Sequence, residues 1–201
     1  DCSFAKRHGY DQKFTLLYSG NLGLYYEFDT MLEVARRMIN DTDFRLVFVG
    51  DGGRKAYIEQ RIQAMGLRNV DVHQYQPLAA LNDSLNSCDA SLVTIATGVE
   101  GISFPSKLYS SLAVGKPILA LSEPGSELQR MVDQARSGLW CEIGNVDALM
   151  SNIEILRKNP SQSAEMGRAA RADMEQHFTI HAAAREYLRV VDMAASERGA
   201  R

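Results

Sequence analysis

Short apolar runs recur along the chain, each closed by glycine or a polar turn. Residues 14–19 (Phe-Thr-Leu-Leu-Tyr-Ser) run into Gly20, residues 44–49 run into Gly50, and residues 90–95 lead towards Gly98. Residues 70–73 and 117–121 are similar, and 138–141 form a shorter sixth run. Runs of this length, rich in branched and aromatic residues and bounded by glycines, read as buried strands. Between them the apolar positions fall one helical turn apart. Tyr57, Ile58, Ile62 and Met65 share a face, with Gly66 as a stop. Leu149, Ile153 and Leu156 repeat that spacing, behind Asn145 as an N-cap. Strands alternating with helices build βαβ units, so the pattern predicts an α/β doubly wound parallel sheet of about six strands, covered on both faces.

The last stretch changes character. Residues 162–176 and 180–195 carry helical spacing, with a break near Phe178-Thr179. Residues 1–12 look polar and irregular. The predicted organisation is a former interdomain linker over 1–13, a Rossmann-like domain over 14–178 and a C-terminal helix over 179–201.

Composition narrows the function. The formal net charge of −3 argues against a nucleic-acid binder, which usually presents a basic face. It leaves room for one phosphorylated small molecule, because such sites use local backbone dipoles. Cys2, Cys88 and Cys141 are too few and too scattered for a disulfide framework or a zinc site, and fit a reducing, cytoplasmic setting. No apolar run has the length of a membrane span, and no signal peptide opens the chain. The start at Asp1, without methionine, suggests a piece of a longer protein.

Ligands of open parallel sheets bind at the carboxyl ends of the strands. Those ends here carry Gly20-Asn-Leu-Gly23, Gly50-Asp-Gly-Gly53 and the loop 97–105 (Thr-Gly-Val-Glu-Gly-Ile-Ser-Phe-Pro). Glycines there let backbone amides approach a phosphate, although a tight strand-to-helix turn needs them equally. Gly20 to Gly23 is not GxGxxG, and the loop from Gly50 to Lys55 is too short for a Walker A motif, which disfavours a dehydrogenase or a P-loop NTPase.

Six segments stand in order along the chain: Tyr18-Ser-Gly-Asn-Leu-Gly23, Leu46-Val-Phe-Val-Gly-Asp-Gly52, Glu100-Gly-Ile-Ser-Phe-Pro-Ser-Lys-Leu-Tyr109, Ala113-Val-Gly-Lys-Pro-Ile118, Gly125-Ser-Glu-Leu128 and Met166-Gly-Arg-Ala-Ala170. Together they resemble the C-terminal domain of group 1 (GT4-type) glycosyltransferases of the GT-B fold, in the subgroup that builds bacterial surface polysaccharides. The resemblance implies a donor-binding half for retaining, metal-independent transfer from a nucleoside diphosphate sugar. Gly20, Asn21 and Gly23 then face the diphosphate. Gly101, Ile102, Ser103, Phe104 and Pro105 are then donor-binding, the loop from Ile102 to Pro105 being the one that offers backbone amides to sugar and phosphate. Tyr75, within 74–77, lines the base pocket, and Glu100 contacts the sugar near its reacting carbon. UDP-sugar is the first choice of donor and GDP-sugar the second, with no cofactor. A glycan or lipid-linked acceptor is expected in a missing N-terminal half, which would also carry any peripheral membrane association. The C-terminal helix would cross back to that half, and this piece alone would be inactive.

The chain departs from the family pattern. Eight positions beyond Glu100 lies Leu108, and the alternative alignment, counted back from Gly115, lands on Ser110, so the ribose-holding carboxylate is missing. The cations that usually neutralise the diphosphate are replaced by Asn21 and by Tyr25-Tyr26-Glu27. Lys107, in Pro105-Ser-Lys107, is expected to supply that charge from the other side of the site. Electrostatic stabilisation of a leaving diphosphate by amides and one cation is typically worth several kcal/mol.

Other features carry less. Asp41-Thr-Asp43 is a DxD triplet, but it precedes the second strand, at the wrong end of the sheet for a site. His177 and His181 are spaced for metal on one helix, yet the break at 178–179 separates them. Trp140 reads as core. Two further readings stay open: half of a UDP-sugar 2-epimerase, and a degenerate nucleotide-binding module without catalysis.

Overall fold

The computed structural model describes residues 2–199. Asp1 and the last two residues of the predicted 179–201 helix lie outside them. The strands are β1 (Phe14–Ser19), β2 (Phe44–Val49), β3 (Val70–His73), β4 (Ala90–Thr94), β5 (Ile118–Ser122) and β6 (Gly138–Glu142). The helices are α1 (Ser3–His8), α2 (Asp29–Arg37), α3 (Lys55–Met65), α4 (Leu78–Leu85), α5 (Lys107–Val114), α6 (Glu127–Ala135), α7 (Val146–Lys158), α8 (Pro160–His177) and α9 (Ile180–Gly199). The strands form one parallel sheet in the order β3-β2-β1-β4-β5-β6. This is the doubly wound order, and the chain reverses direction across the sheet between β1 and β4.

Both faces of the sheet are buried, and period-two alternation shows why. Leu16, Tyr18, Leu46, Phe48, Leu119 and Leu121 point to one side, beneath Met31 and Leu32 of α2, Ile58 of α3 and Leu149, Ile153 and Leu156 of α7. On the other side, Val93, Ile118 and Ala120 meet Leu108 and Leu112 of α5, Leu128 and Val132 of α6 and Ala170 of α8. The predicted helix signals hold locally. The Asn145 side chain accepts from the Ala148 N–H at 3.0 Å, and Gly66 ends α3 in the left-handed region at φ 63°.

One expectation is corrected. The stretch read as irregular contains α1, with Phe4, Ala5 and Tyr10 buried against Leu17, Val47, Val49 and Leu85. Asp83 of α4 caps this short helix, accepting from the N–H groups of Ser3 at 2.9 Å and Phe4 at 2.8 Å. The capping carboxylate lies 80 residues away, so no local pattern announces it. Trp140 is half-buried rather than enclosed, and its indole N–H donates to Ser122 Oγ at 2.9 Å. α9 projects from the domain with Ile180, Tyr187, Leu188, Val190, Val191 and Met193 exposed. Among the described residues no helix is long and apolar enough to cross a membrane.

Candidate functional site

The switch point between β1 and β4 brings the predicted loops together at the carboxyl ends of the strands. The loop after β1 lies along the loop after β2. Gly20 N–H donates to Val49 O at 2.9 Å, Leu22 N–H to Asp51 O at 2.8 Å, and Arg54 N–H to Leu22 O at 2.8 Å. This contact explains two glycines of the second loop. A Cβ on Gly50 would fall 1.9 Å from Gly20 O, and one on Gly52 would fall 2.4 Å from Asn21 Oδ1. Gly50 and Gly52 therefore set the position of the first loop. The Tyr18 hydroxyl braces it from below, donating to Asn21 O at 2.7 Å.

Lys107, the first residue of α5, points into this corner. A Cβ on Gly20 would lie 3.1 Å from Lys107 Cε, so a bare backbone at position 20 makes room for the lysine stem. The residue is 8% exposed, and its Nζ has no hydrogen-bond partner among the described residues. The amine instead sits 3.2 Å from the centroid of the Tyr26 ring and 4.7 Å from that of Tyr18. Burial disfavours the charged form and lowers the amine to about 7. The rings facing it add no charge there, because burial raises both the Tyr18 and the Tyr26 phenol above the usual range. Tyr75 is exposed in the connection between β3 and α4.

The loop after β4 forms a second patch. Glu100, Gly101, Ile102, Ser103 and Phe104 line an open cavity of about 510 Å³ with Glu127 and Arg130 of α6. Glu100 Oε1 accepts from the Glu127 N–H at 2.8 Å, so this carboxylate caps α6 and meets the positive end of its dipole. Two of the loop amides expected to face a ligand are engaged internally. Ile102 and Ser103 both donate to Val99 O, at 3.0 and 3.2 Å. Those two N–H groups reach a ligand only if this turn opens.

Gly20, Asn21, Gly23 and Lys107 thus share one corner, and Glu100 with residues 101–104 forms a neighbouring cavity. Pro105 is buried at the entry to α5. Ser110 does not present its hydroxyl to either group; Oγ donates to Lys107 O at 2.9 Å, within its own helix. Leu108, at the position where the family pattern has a carboxylate, is 1% exposed and belongs to the core. Tyr26 was not singled out in the sequence as a site residue, although the Tyr25-Tyr26 pair in place of the family's cations is a visible signal. Glu27 beside it caps α2, accepting from Thr30 N–H at 2.8 Å.

The decoys fall elsewhere. Asp41 pairs with Arg157 at the amino end of the sheet and accepts from Asp43 N–H at 2.9 Å, a turn role. His177 ends α8 against Asp173 at 2.8 Å, while His181 lies on α9.

The family described as "Glycosyl transferases group 1" matches residues 3–173. A curated relative from Escherichia coli K12, "Putative colanic acid biosynthesis glycosyl transferase WcaI", is 34% identical over 144 residues, covering 71% of this chain and 35% of the relative. "Probable glycosyltransferase WbjE" of Pseudomonas aeruginosa is 28% identical over 179 residues, covering 89% of this chain and 42% of the relative. The chain thus spans less than half the length of either. HepE of Anabaena, solved in complex with UDP, superposes with a TM-score of 0.80 at 16% identity, over 94% of this chain and 51% of HepE. That likeness is one of fold.

Proposed function

The chain belongs to the group 1 glycosyl transferases, and from that footing we propose that it binds the nucleoside diphosphate sugar donor for a retaining, metal-independent glycosyl transfer. The single observation that carries this reading is Lys107. A lysine 8% exposed with no hydrogen-bond partner among the described residues is costly to fold, and it sits beside a glycine loop at the switch point, where a diphosphate would satisfy it. Gly20, Asn21 and Gly23 face that diphosphate, and Tyr75 lies towards the base. Glu100 and the turn 101–105 face the sugar, the carboxylate leaving the α6 N-terminus to hold a hydroxyl through a charge-assisted bond.

A UDP-sugar is the first choice of donor, supported by the complexes of HepE with UDP and with UDP-glucose. The colanic acid role in the name of the Escherichia coli relative supports surface polysaccharide as the product class. The acceptor, a glycan or a lipid-linked sugar, is held by a further domain. The exposed apolar residues of α9, from Tyr187 to Met193, are suited to pack against that domain.

Calorimetric titration with UDP, GDP, UDP-GlcNAc and GDP-mannose tests the reading. Saturable binding to one base series is expected. Lys107→Met should weaken it about 10- to 100-fold, the worth of a charged hydrogen bond to an anion. Its urea midpoint should not fall, because the substitution removes a buried charge. Unchanged affinity in that variant, or no binding to any of the four, would overturn the assignment.

A further inference from the structure

The amine of Lys107 has one close neighbour that a diphosphate-binding role leaves unexplained: the face of Tyr26, 3.2 Å away at its centroid. An aromatic face attracts a cation through its quadrupole and carries no net charge. That distinction matters at an anion site. A carboxylate in the same place would hold the ammonium, but it would repel an arriving diphosphate and would remain buried and unpaired once the lysine left. A tyrosine ring holds the cation without either penalty.

The placement of the ring is over-determined. Tyr25 O accepts from Ala96 N–H at 2.8 Å, tying this loop to the end of β4. The Tyr26 ring meets Tyr18 nearly edge to face, with centroids 6.2 Å apart and planes at 68°. The next residue, Glu27, is anchored to the first turn of α2. Tyr26 is therefore fixed from β1, β4 and α2 at once, while the lysine amine has no hydrogen-bond partner among the described residues. Gly20 leaves room for the lysine stem, since a Cβ there would fall 3.1 Å from Lys107 Cε, and rotation about the terminal bonds of the lysine carries its amine from the ring towards the Gly20 loop.

We propose that Tyr26 is the positioning residue for Lys107: its ring holds the amine while the site is empty and yields it to the diphosphate of an arriving nucleotide. The proposal rests on the donor-site reading above. On this reading the charge comes from α5 and the loop after β1 supplies its resting place.

The test is carbon–proton NMR of the protein labelled at lysine, with the Lys107 signal assigned by its loss in Lys107→Arg. In the empty protein the Lys107 ε-methylene should show the upfield displacement produced by an aromatic ring current. Saturating UDP, GDP or inorganic pyrophosphate should return it towards the ordinary lysine position. Tyr26→Leu should place it there without any ligand. Tyr26→Phe, which keeps the ring, should keep the displaced signal and hold UDP affinity within about twofold of the parent. If UDP shifts other resonances but Lys107 stays displaced, the lysine does not change partners; the proposal is overturned and the donor site stands. A Lys107 signal that is undisplaced in the empty protein overturns it as well. If none of the three ligands perturbs any resonance, the diphosphate site itself is wrong, and the proposal falls with it. Should Tyr26→Leu fail to fold, the parent and Tyr26→Phe spectra still decide.

Discussion

The two ends of the sheet treat charge in opposite ways. At the amino end an open cavity of about 760 Å³ is lined by Asp89, Lys116, Arg157, Arg168 and Arg171 among others. It is larger than the cavity beside Glu100. Its arginines are engaged where the structure shows their partners: Arg157 with Asp41 and Glu154, Arg171 with Glu175 and the carbonyl of Ala113. At the carboxyl end Lys107 is more deeply buried, and among the described residues its amine faces aromatic rings without a hydrogen-bond partner. Paired charges at a partly exposed surface belong to the fold and contribute little each. A buried cation without a counter-charge lowers stability, and it persists where a ligand completes it. Volume points to the amino end; the state of the charges points to the proposed site at the other.

That contrast can be broken most sharply by pH. Lys107 is lowered to about 7 by burial, and a bound diphosphate would hold it protonated and raise it. Binding then takes up a proton. Affinity for UDP is fully present below pH 7 and falls as pH rises through 7 towards the higher bound value, by up to about tenfold per pH unit. The phosphate, whose second ionisation lies near about 6, is already charged across that window. Calorimetry at pH 6.5, 7.5 and 8.5 checks the slope, and a flat profile would place the lysine outside the binding equilibrium.

A second, smaller effect separates the loops from the chemistry. Gly50→Ala forces a methyl to within 1.9 Å of Gly20 O, so the two loops must part. A loss of about 1–3 kcal/mol in urea denaturation is expected, as for overpacking elsewhere, together with weaker UDP binding. Full stability in this variant would show that the loop contact is not needed.

The smallest effect belongs to the amino end. Arg157→Met removes the pair with Asp41, whose side chains are 21% and 28% exposed. A loss of about 1 kcal/mol or less is expected, since the pair is partly screened. UDP affinity should not change. A drop there would couple the two ends and undo the distinction between them.

Much of the fold was legible because its signals are local. The runs at 14–19, 44–49 and 70–73 became β1, β2 and β3 with the same bounds, and the break near 178–179 separates α8 from α9. Short buried strands, glycine stops and the Asn145 cap act over a few residues, and a sequence displays them directly. The candidate site was legible as a set of loops and one lysine. It was not legible as contacts. Asp83 capping α1, Glu100 resting on Glu127 and the turn that occupies Ile102 and Ser103 depend on which segments meet.

By itself, then, the sequence determined the alternation of strand and helix, the glycine loops at the carboxyl ends and Lys107 as the candidate cation. The tertiary structure decided that β1 lies beside β4, and therefore that residue 26 reaches residue 107. Periodicity and capping are properties of neighbours along the chain, whereas a buried amine over a ring is a property of strand order, which emerges only when both faces of the sheet are covered.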